Sequence, residues 1–324
     1  MPFLFFILGI ALLLIGGYLL VRGASEIAED FGVSPLVIGM TVVAFGTSAP
    51  ELVINIIGVL SEESDIAFGN ITGSNLANLG LVLGAAALLT PIQLQGQLIR
   101  RELPLLLLAT CVLMVIVSDP LLRGTAPVLD RSDSIILLLL FGIFVYITVH
   151  DFAMLEEDPI LSVAHRNPDR ISEFIKNWSF VGGGVVFLLL GGQLTITNGV
   201  ELAERLGVSD VVIGMIMVAV GTSLPEFVTS TIAAIRKEAD LCVGNVVGSN
   251  IFNSMLVLPV SALISPIPVP SGGVTDIFVS LLLAALLIPI FIRGKSMMSR
   301  MTGLSFLVIY IAYMGFRVSS GVIA

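Results

Sequence analysis

The chain has 324 residues, of which 56% are hydrophobic and 12% charged, with a formal net charge of −9. A soluble domain carries about 25% charged residues, and a mean hydropathy of +1.06 excludes a soluble globular enzyme. The apolar runs are continuous and do not alternate in segments of about 10 residues, so a β-barrel is excluded and a polytopic helical membrane protein remains.

In chain order, ten spans are predicted, near 3–21, 34–60, 66–90, 103–118, 134–150, 178–197, 210–235, 241–264, 276–292 and 301–318. The fourth and fifth are short. The first run lacks a basic n-region and a small-residue cleavage site, so it reads as a retained span rather than a signal peptide. Cys111 and Cys242 both lie in apolar runs and read as buried thiols, with no disulfide framework implied. The negative balance offers no basic face to nucleic acid.

Basic residues set the orientation. With the N-terminus outside, only Arg123, Arg131, Arg205 and Arg317 of the 15 Lys and Arg fall in outer segments. Both termini are therefore expected outside, and the polar 151–177 segment in the cytoplasm. That segment is a solvated connector, too short for a folded regulatory domain.

The chain repeats itself at an offset of 175 residues. Residues 32–55, GVSPLVIGMTVVAFGTSAPELVIN, share 15 of 24 positions with 207–230, and residues 65–83 share 10 of 19 with 240–258. Gly16 and Gly17 recur as Gly191 and Gly192, and Glu26 and Glu29 as Glu201 and Glu204. The expected organisation is a first five-helix repeat (1–150), a connecting loop (151–177) and a second repeat (178–324). Five is odd, so the second repeat enters the membrane from the opposite side. The expected fold class is all-α, with ten transmembrane helices in two inverted repeats. Such repeats are typical of secondary transporters, with the site near the midplane.

Each repeat centres on an apolar span interrupted by polar residues: Gly46-Thr47-Ser48-Ala49-Pro50-Glu51 and Gly221-Thr222-Ser223-Leu224-Pro225-Glu226. Proline cannot donate to the carbonyl four residues earlier, so Pro50 and Pro225 are expected to free the carbonyls of Gly46 and Gly221. Freed carbonyls at membrane depth need protein, water or an ion. A carboxylate in mid-span costs several kcal/mol and usually marks an ion pathway. The bland alternative, a protonated Glu bonded to a neighbouring helix, has to hold twice, at Glu51 and at Glu226. No Lys or Arg lies in a central span to pair with them.

The surrounding donors are hard oxygens: Thr47, Ser48, Thr222 and Ser223, then Ser74, Asn75, Asn78, Ser249, Asn250 and Asn253 in the following spans. His150 and His165 lie at the loop, which argues against zinc, copper and iron. Ca²⁺ takes such oxygens in flexible geometry, whereas Mg²⁺ holds its waters; Na⁺, of similar radius, can use the same ligands. Ser74 and Asn78 share a helix face, as do Ser249 and Asn253. The pairs Gly69/Gly73 and Gly244/Gly248 are expected to pack helices closely. No Ser/His, Cys/His or paired-Asp constellation supports catalysis.

The G-T-S-x-P-E and G-S-N-x-x-N motifs, present in both halves, resemble the α-repeats of the sodium/calcium exchanger family, within the calcium/cation antiporter superfamily. The resemblance covers nearly the whole chain and points to the compact prokaryotic branch, hence to an inner membrane. It implies that Glu51 and Glu226 bridge a central Ca²⁺, helped by the carbonyls of Thr47 and Thr222. It implies Na⁺ sites at Ser48, Ser74 and the Ala44 carbonyl on one side, and at Ser223, Ser249 and the Ala219 carbonyl on the other. Asn78 and Asn253 would line the middle, and Gly16, Gly17, Gly191 and Gly192 would belong to a sliding gate.

Some family members carry Asp where this chain has Asn253, and that departure puts potassium co-transport in doubt. The implied activity is electrogenic Na⁺/Ca²⁺ antiport by alternating access, exporting Ca²⁺, with no cofactor. The partners are inorganic cations and the lipid bilayer. A proton/Ca²⁺ exchanger is the alternative and a cation channel the more distant one. Oligomeric state is not specified by the sequence.

Overall fold

A computed structural model describes residues 2–61, 64–93, 101–119, 124–156, 170–206, 221–293 and 297–319. The first half runs α1 (Pro2–Phe31), α2 (Pro35–Thr47), α3 (Ala49–Leu60), α4 (Ser64–Ala77), a π-helical turn (Asn78–Val82), α5 (Leu83–Leu89), α6 (Leu103–Ile116) and α7 (Arg131–Glu156). The second runs α8 (Arg170–Arg205), α9 (Leu224–Ile235), α10 (Ala239–Phe252), a π-helical turn (Asn253–Val257), α11 (Leu258–Ile264), α12 (Gly273–Arg293) and α13 (Arg300–Ser319). Among the described residues, six helices are long and apolar enough to cross a membrane, or seven if α2 and α3, bent by 41°, form one span.

Several expected boundaries shift. The first and sixth spans are much longer than predicted, with α1 at 30 residues and α8 at 36. The polar end of α1 stays helical because Arg22 pairs with Glu26 one turn on, at 2.8 Å. Gly32 then stops it with φ 65°, and Val33 N–H closes the end on the Ala28 carbonyl at 3.0 Å. Because α7 reaches Glu156 and α8 starts at Arg170, the connector expected at 151–177 is helical at both ends. Residues 157–169 lie outside the described set, as does His165. The span expected at 103–118 is the short apolar helix α6, and of the one expected at 210–235, residues 210–220 lie outside the described set while the later part forms α9. The tenth, 301–318, is α13, which is not among those six. Cys242 is buried, but Cys111 is exposed on α6, against expectation.

The centre of the molecule is made by α4–α5 and α10–α11. In each of these spans 78% of the apolar window is buried, against 33% for α1. That fits their sequences, in which small and polar residues replace the large apolar ones that face lipid elsewhere. Across the centre, α10 lies on α2: a Cβ on Gly244 would stand 2.5 Å from the Leu36 carbonyl, and one on Gly248 2.6 Å from that of Met40. These two glycines are packing residues, as expected. A Cβ added at Gly69, the counterpart of Gly244, would meet nothing within 4 Å.

The long helices α1 and α8 pack antiparallel on the outside. Gly9 faces Gly191 and Thr195, Gly16 faces Gly184 and Leu188, and Gly23 faces Asn177. Backbones this close require residues without a Cβ. Two short antiparallel ladders tie one half to the other. They pair β1 (Ile92–Gln93) with β4 (Met297–Met298) and β2 (Val128–Leu129) with β3 (Ile267–Pro268).

Candidate cation site

The helix expected to run through the Gly-Thr-Ser motif stops there and restarts. Ser48 has φ −85° and ψ 3°, and Ser223 has φ −84° and ψ 6°. Pro50 and Pro225 are the second residues of the new helices α3 and α9, where a missing N–H costs nothing. The prolines therefore open new helices instead of kinking continuous ones, which corrects the expectation of freed carbonyls inside one helix. The Ala44 carbonyl, expected as an ion ligand, already accepts the Ser48 N–H at 2.9 Å and the Thr47 hydroxyl at 3.3 Å. Ala219 lies outside the described residues.

The restart puts Glu51 and Glu226 in the first turn of α3 and α9. Both are fully buried. A helix N-terminus stabilises a carboxylate by up to about 2 kcal/mol, whereas taking an ion out of water costs several kcal/mol. Two such charges facing one site therefore need something more. Both oxygens of Glu51 and Oε2 of Glu226 have no protein partner. Glu226 Oε1 accepts the Ser48 hydroxyl at 3.2 Å.

The neighbouring polar groups leave oxygens free in the same way. Asn78 donates its amide nitrogen to Asn250 Oδ1 at 3.1 Å, and Asn253 donates its own to Asn75 Oδ1 at 3.2 Å. Each amide is thereby oriented, and Asn78 Oδ1 and Asn253 Oδ1 are buried without partners, as is Ser223 Oγ, while Ser249 stands beside Glu226. Asn75 is held by Ser254 at 2.8 Å. A carbonyl or carboxylate oxygen can only accept, so this collection of unpartnered acceptors calls for a cation or a proton. Among the described residues no three His, Cys, Asp or Glu come together. Two carboxylates among neutral oxygens suit Ca²⁺ or Na⁺ and not a thiolate- or imidazole-binding metal.

The threonines take part through their hydroxyls. Thr47 donates to Asn245 Oδ1 at 3.1 Å, and Thr222 shares a hydrogen bond with Ser74 at 3.0 Å. The sequence reading missed Asn245 and its partner Ser230 (2.9 Å), and likewise Asn70 and its partner Asn55 (2.7 Å). The signal was available, since 70 and 245, and 55 and 230, are 175 apart. Of the expected gate glycines, Gly16 and Gly191 lie in the α1–α8 contact. Gly17 faces Ile232 and Val228 on α9, and a Cβ added at Gly192 would meet nothing within 4 Å.

Comparison with known proteins adds four findings. The sodium/calcium exchanger protein family matches residues 1–150 and 176–319. The inner membrane protein YrbG of Escherichia coli (strain K12) is 36% identical over 267 aligned positions, covering 80% of this chain and 79% of YrbG. The sodium/calcium exchanger MaX1 of Methanosarcina acetivorans is 29% identical over 339 positions, covering 96% and 97%. A solved structure of the sodium-calcium exchanger NCX_Mj superposes with a TM-score of 0.82 at 32% identity, covering 97% of this chain and 98% of that one.

Proposed function

This chain belongs to the sodium/calcium exchanger family, and on that premise we propose that it is an electrogenic antiporter exchanging Na⁺ for Ca²⁺ by alternating access. The observation that carries the proposal is the ring of buried, unpartnered oxygens around Glu51 and Glu226. One Ca²⁺ neutralises both carboxylates. Several Na⁺ can replace it on the same oxygens, so the two loads exclude each other. An empty site keeps two bare charges at low dielectric and resists closure. Only loaded forms then change sides, which couples the two fluxes.

In this reading Glu51, Glu226, Thr47 and Thr222 hold Ca²⁺. Ser48, Ser74, Ser223 and Ser249 serve flanking Na⁺ sites with the Ala44 and Ala219 carbonyls, and Asn78 and Asn253 line the middle. The Ala44 carbonyl would have to share its existing hydrogen bonds. The halves form two five-span inverted repeats, ten spans in all. Support comes from contacts that exchange in pairs at the 175-residue offset: Gly9–Gly191 with Gly16–Gly184, and Asn78–Asn250 with Asn253–Asn75.

The cytoplasmic face is taken as the end bearing Arg22, Lys176 and Arg236. Arg22 and Lys176 share the Phe180 ring, and Arg236 lies over Tyr18. That choice puts both termini outside, and the family resemblance together with the usual Na⁺ gradient is the ground for assigning Ca²⁺ export across a prokaryotic inner membrane.

The test is ⁴⁵Ca²⁺ uptake into proteoliposomes loaded with Na⁺ against vesicles loaded with choline at matched pH. Uptake that needs internal Na⁺ is expected. Uptake that follows a pH gradient and ignores Na⁺ would make the proton the coupling ion. That second reading draws on the same unpartnered Glu51 oxygens, which a proton can also occupy. Uptake with no counter-ion at all would point to a channel.

A further inference from the structure

Two equivalent threonines make opposite choices. Thr47 bonds Asn245 on α10. One turn along the same face, Ser249 is buried beside Glu226 and does not bond Thr47. Thr222, 175 residues after Thr47, bonds Ser74 on α4, the equivalent of Ser249, although Asn70, the equivalent of Asn245, stands one turn away. Both asparagines are braced alike from behind, Asn245 by Ser230 at 2.9 Å and Asn70 by Asn55 at 2.7 Å. These braces sit one turn beyond Glu226 and Glu51. The glutamates break the symmetry in the same sense: Ser48 reaches Glu226 at 3.2 Å, while Ser223 and Glu51 are unpartnered.

We propose that Asn245 and Asn70 are positioning residues of the exchange cycle, each holding the threonine of the opposite half only while the site is closed on its own side. This rests on the exchanger reading and on the two-fold relation of the halves. Asn245 lies midway along α10, one turn nearer than Ser249 to the Arg236 end of α9. Asn70 lies midway along α4, one turn nearer than Ser74 to the Leu60 end of α3. On this proposal the Thr47–Asn245 bond marks the form closed towards the Arg236 end. In the opposite orientation Thr222 moves to Asn70 and Thr47 to Ser249, so the hydrogen bonds are exchanged without changing in number. The carbonyls of Thr47 and Thr222 turn with them, which places the Ca²⁺ ligands for one side or the other.

The test measures Na⁺-driven ⁴⁵Ca²⁺ flux of the full chain in right-side-out and inside-out membrane vesicles, with the half-saturating Ca²⁺ determined on each face. N245A removes a hydrogen bond made only in the present orientation. The population then moves towards the other orientation. Half-saturation is expected to rise on the Leu60 face and fall on the Arg236 face, by about two- to tenfold for one neutral hydrogen bond. N70A is expected to give the reverse pattern. A shift of the same sign on both faces, as general loosening would produce, overturns the proposal, and so does no shift in either variant. If N245A fails to reach the membrane, N70A decides alone: a sided shift supports the proposal and an unsided one overturns it. Absence of Na⁺-driven flux in the unsubstituted chain would instead overturn the exchanger reading, and this proposal with it.

Discussion

Ser48 and Glu51 are spaced as a capping box, in which a serine and a glutamate three residues on satisfy the first N–H groups of a helix. Ser223 and Glu226 repeat the pattern. Neither serine caps its own helix. Ser48 gives its hydroxyl to the glutamate of the opposite half, so a local helix signal is spent on the site. Glu51→Gln and Glu226→Gln each remove a charge that the bound ion must balance. Ca²⁺ uptake is expected to fall to background in both variants, with monodispersity by size exclusion unchanged; normal uptake in either would remove the centre of the proposed function. Asn253→Asp adds a third carboxylate beside the other two. It is expected to make exchange sensitive to pH or K⁺, and flux measured across a pH series and with K⁺ replacing choline checks this. The site carboxylates were legible because charge is so rare in these spans. The unpartnered state of Asn78 Oδ1 was not, because it depends on which atom of Asn250 the amide meets.

At the scale of elements, the α1–α8 contact shows how spacing decides which glycines meet. Gly9, Gly16 and Gly23 are seven apart, as are Gly184 and Gly191, and a seven-residue step returns nearly to the same helix face. The sequence reading chose adjacent glycines, Gly16 with Gly17 and Gly191 with Gly192. Adjacent residues point about 100° apart, so one member of each pair left the interface. Ala at Gly16 would place a Cβ 2.8 Å from the Gly184 carbonyl, whereas Ala at Gly192 meets nothing within 4 Å. Gly16→Ala is expected to reduce the exchange rate severalfold and Gly192→Ala to leave it near normal, measured as initial ⁴⁵Ca²⁺ uptake per reconstituted protein. Equal effects would show that helix propensity, and not the close approach, controls the pair. The helix restart at Ser48 and Ser223 was half legible. Proline announced a break, but only the fold shows that it sits where a helix begins.

For the whole molecule, the proposed cycle has a site with two carboxylate charges, which one Ca²⁺ would balance. Replacement by more than two Na⁺ moves net charge across the membrane. Exchange is therefore expected to speed up or slow down with the sign of a K⁺ diffusion potential imposed by valinomycin, and strict insensitivity would exclude the electrogenic version. The membrane class and the internal repeat were legible because composition and identity at a fixed offset survive without a structure. The cross-half ladders were not legible, since two-residue strands carry no periodicity.

Those ladders also constrain how the protein is made. Ile92 pairs with Met298 and Leu129 with Ile267, so the early part of the chain must wait in the bilayer for partners that leave the ribosome near the end of synthesis. Neither half can finish alone, and translation that stops after α8 leaves a first half with open strand edges and an unpaired carboxylate, a species for quality-control proteases to remove.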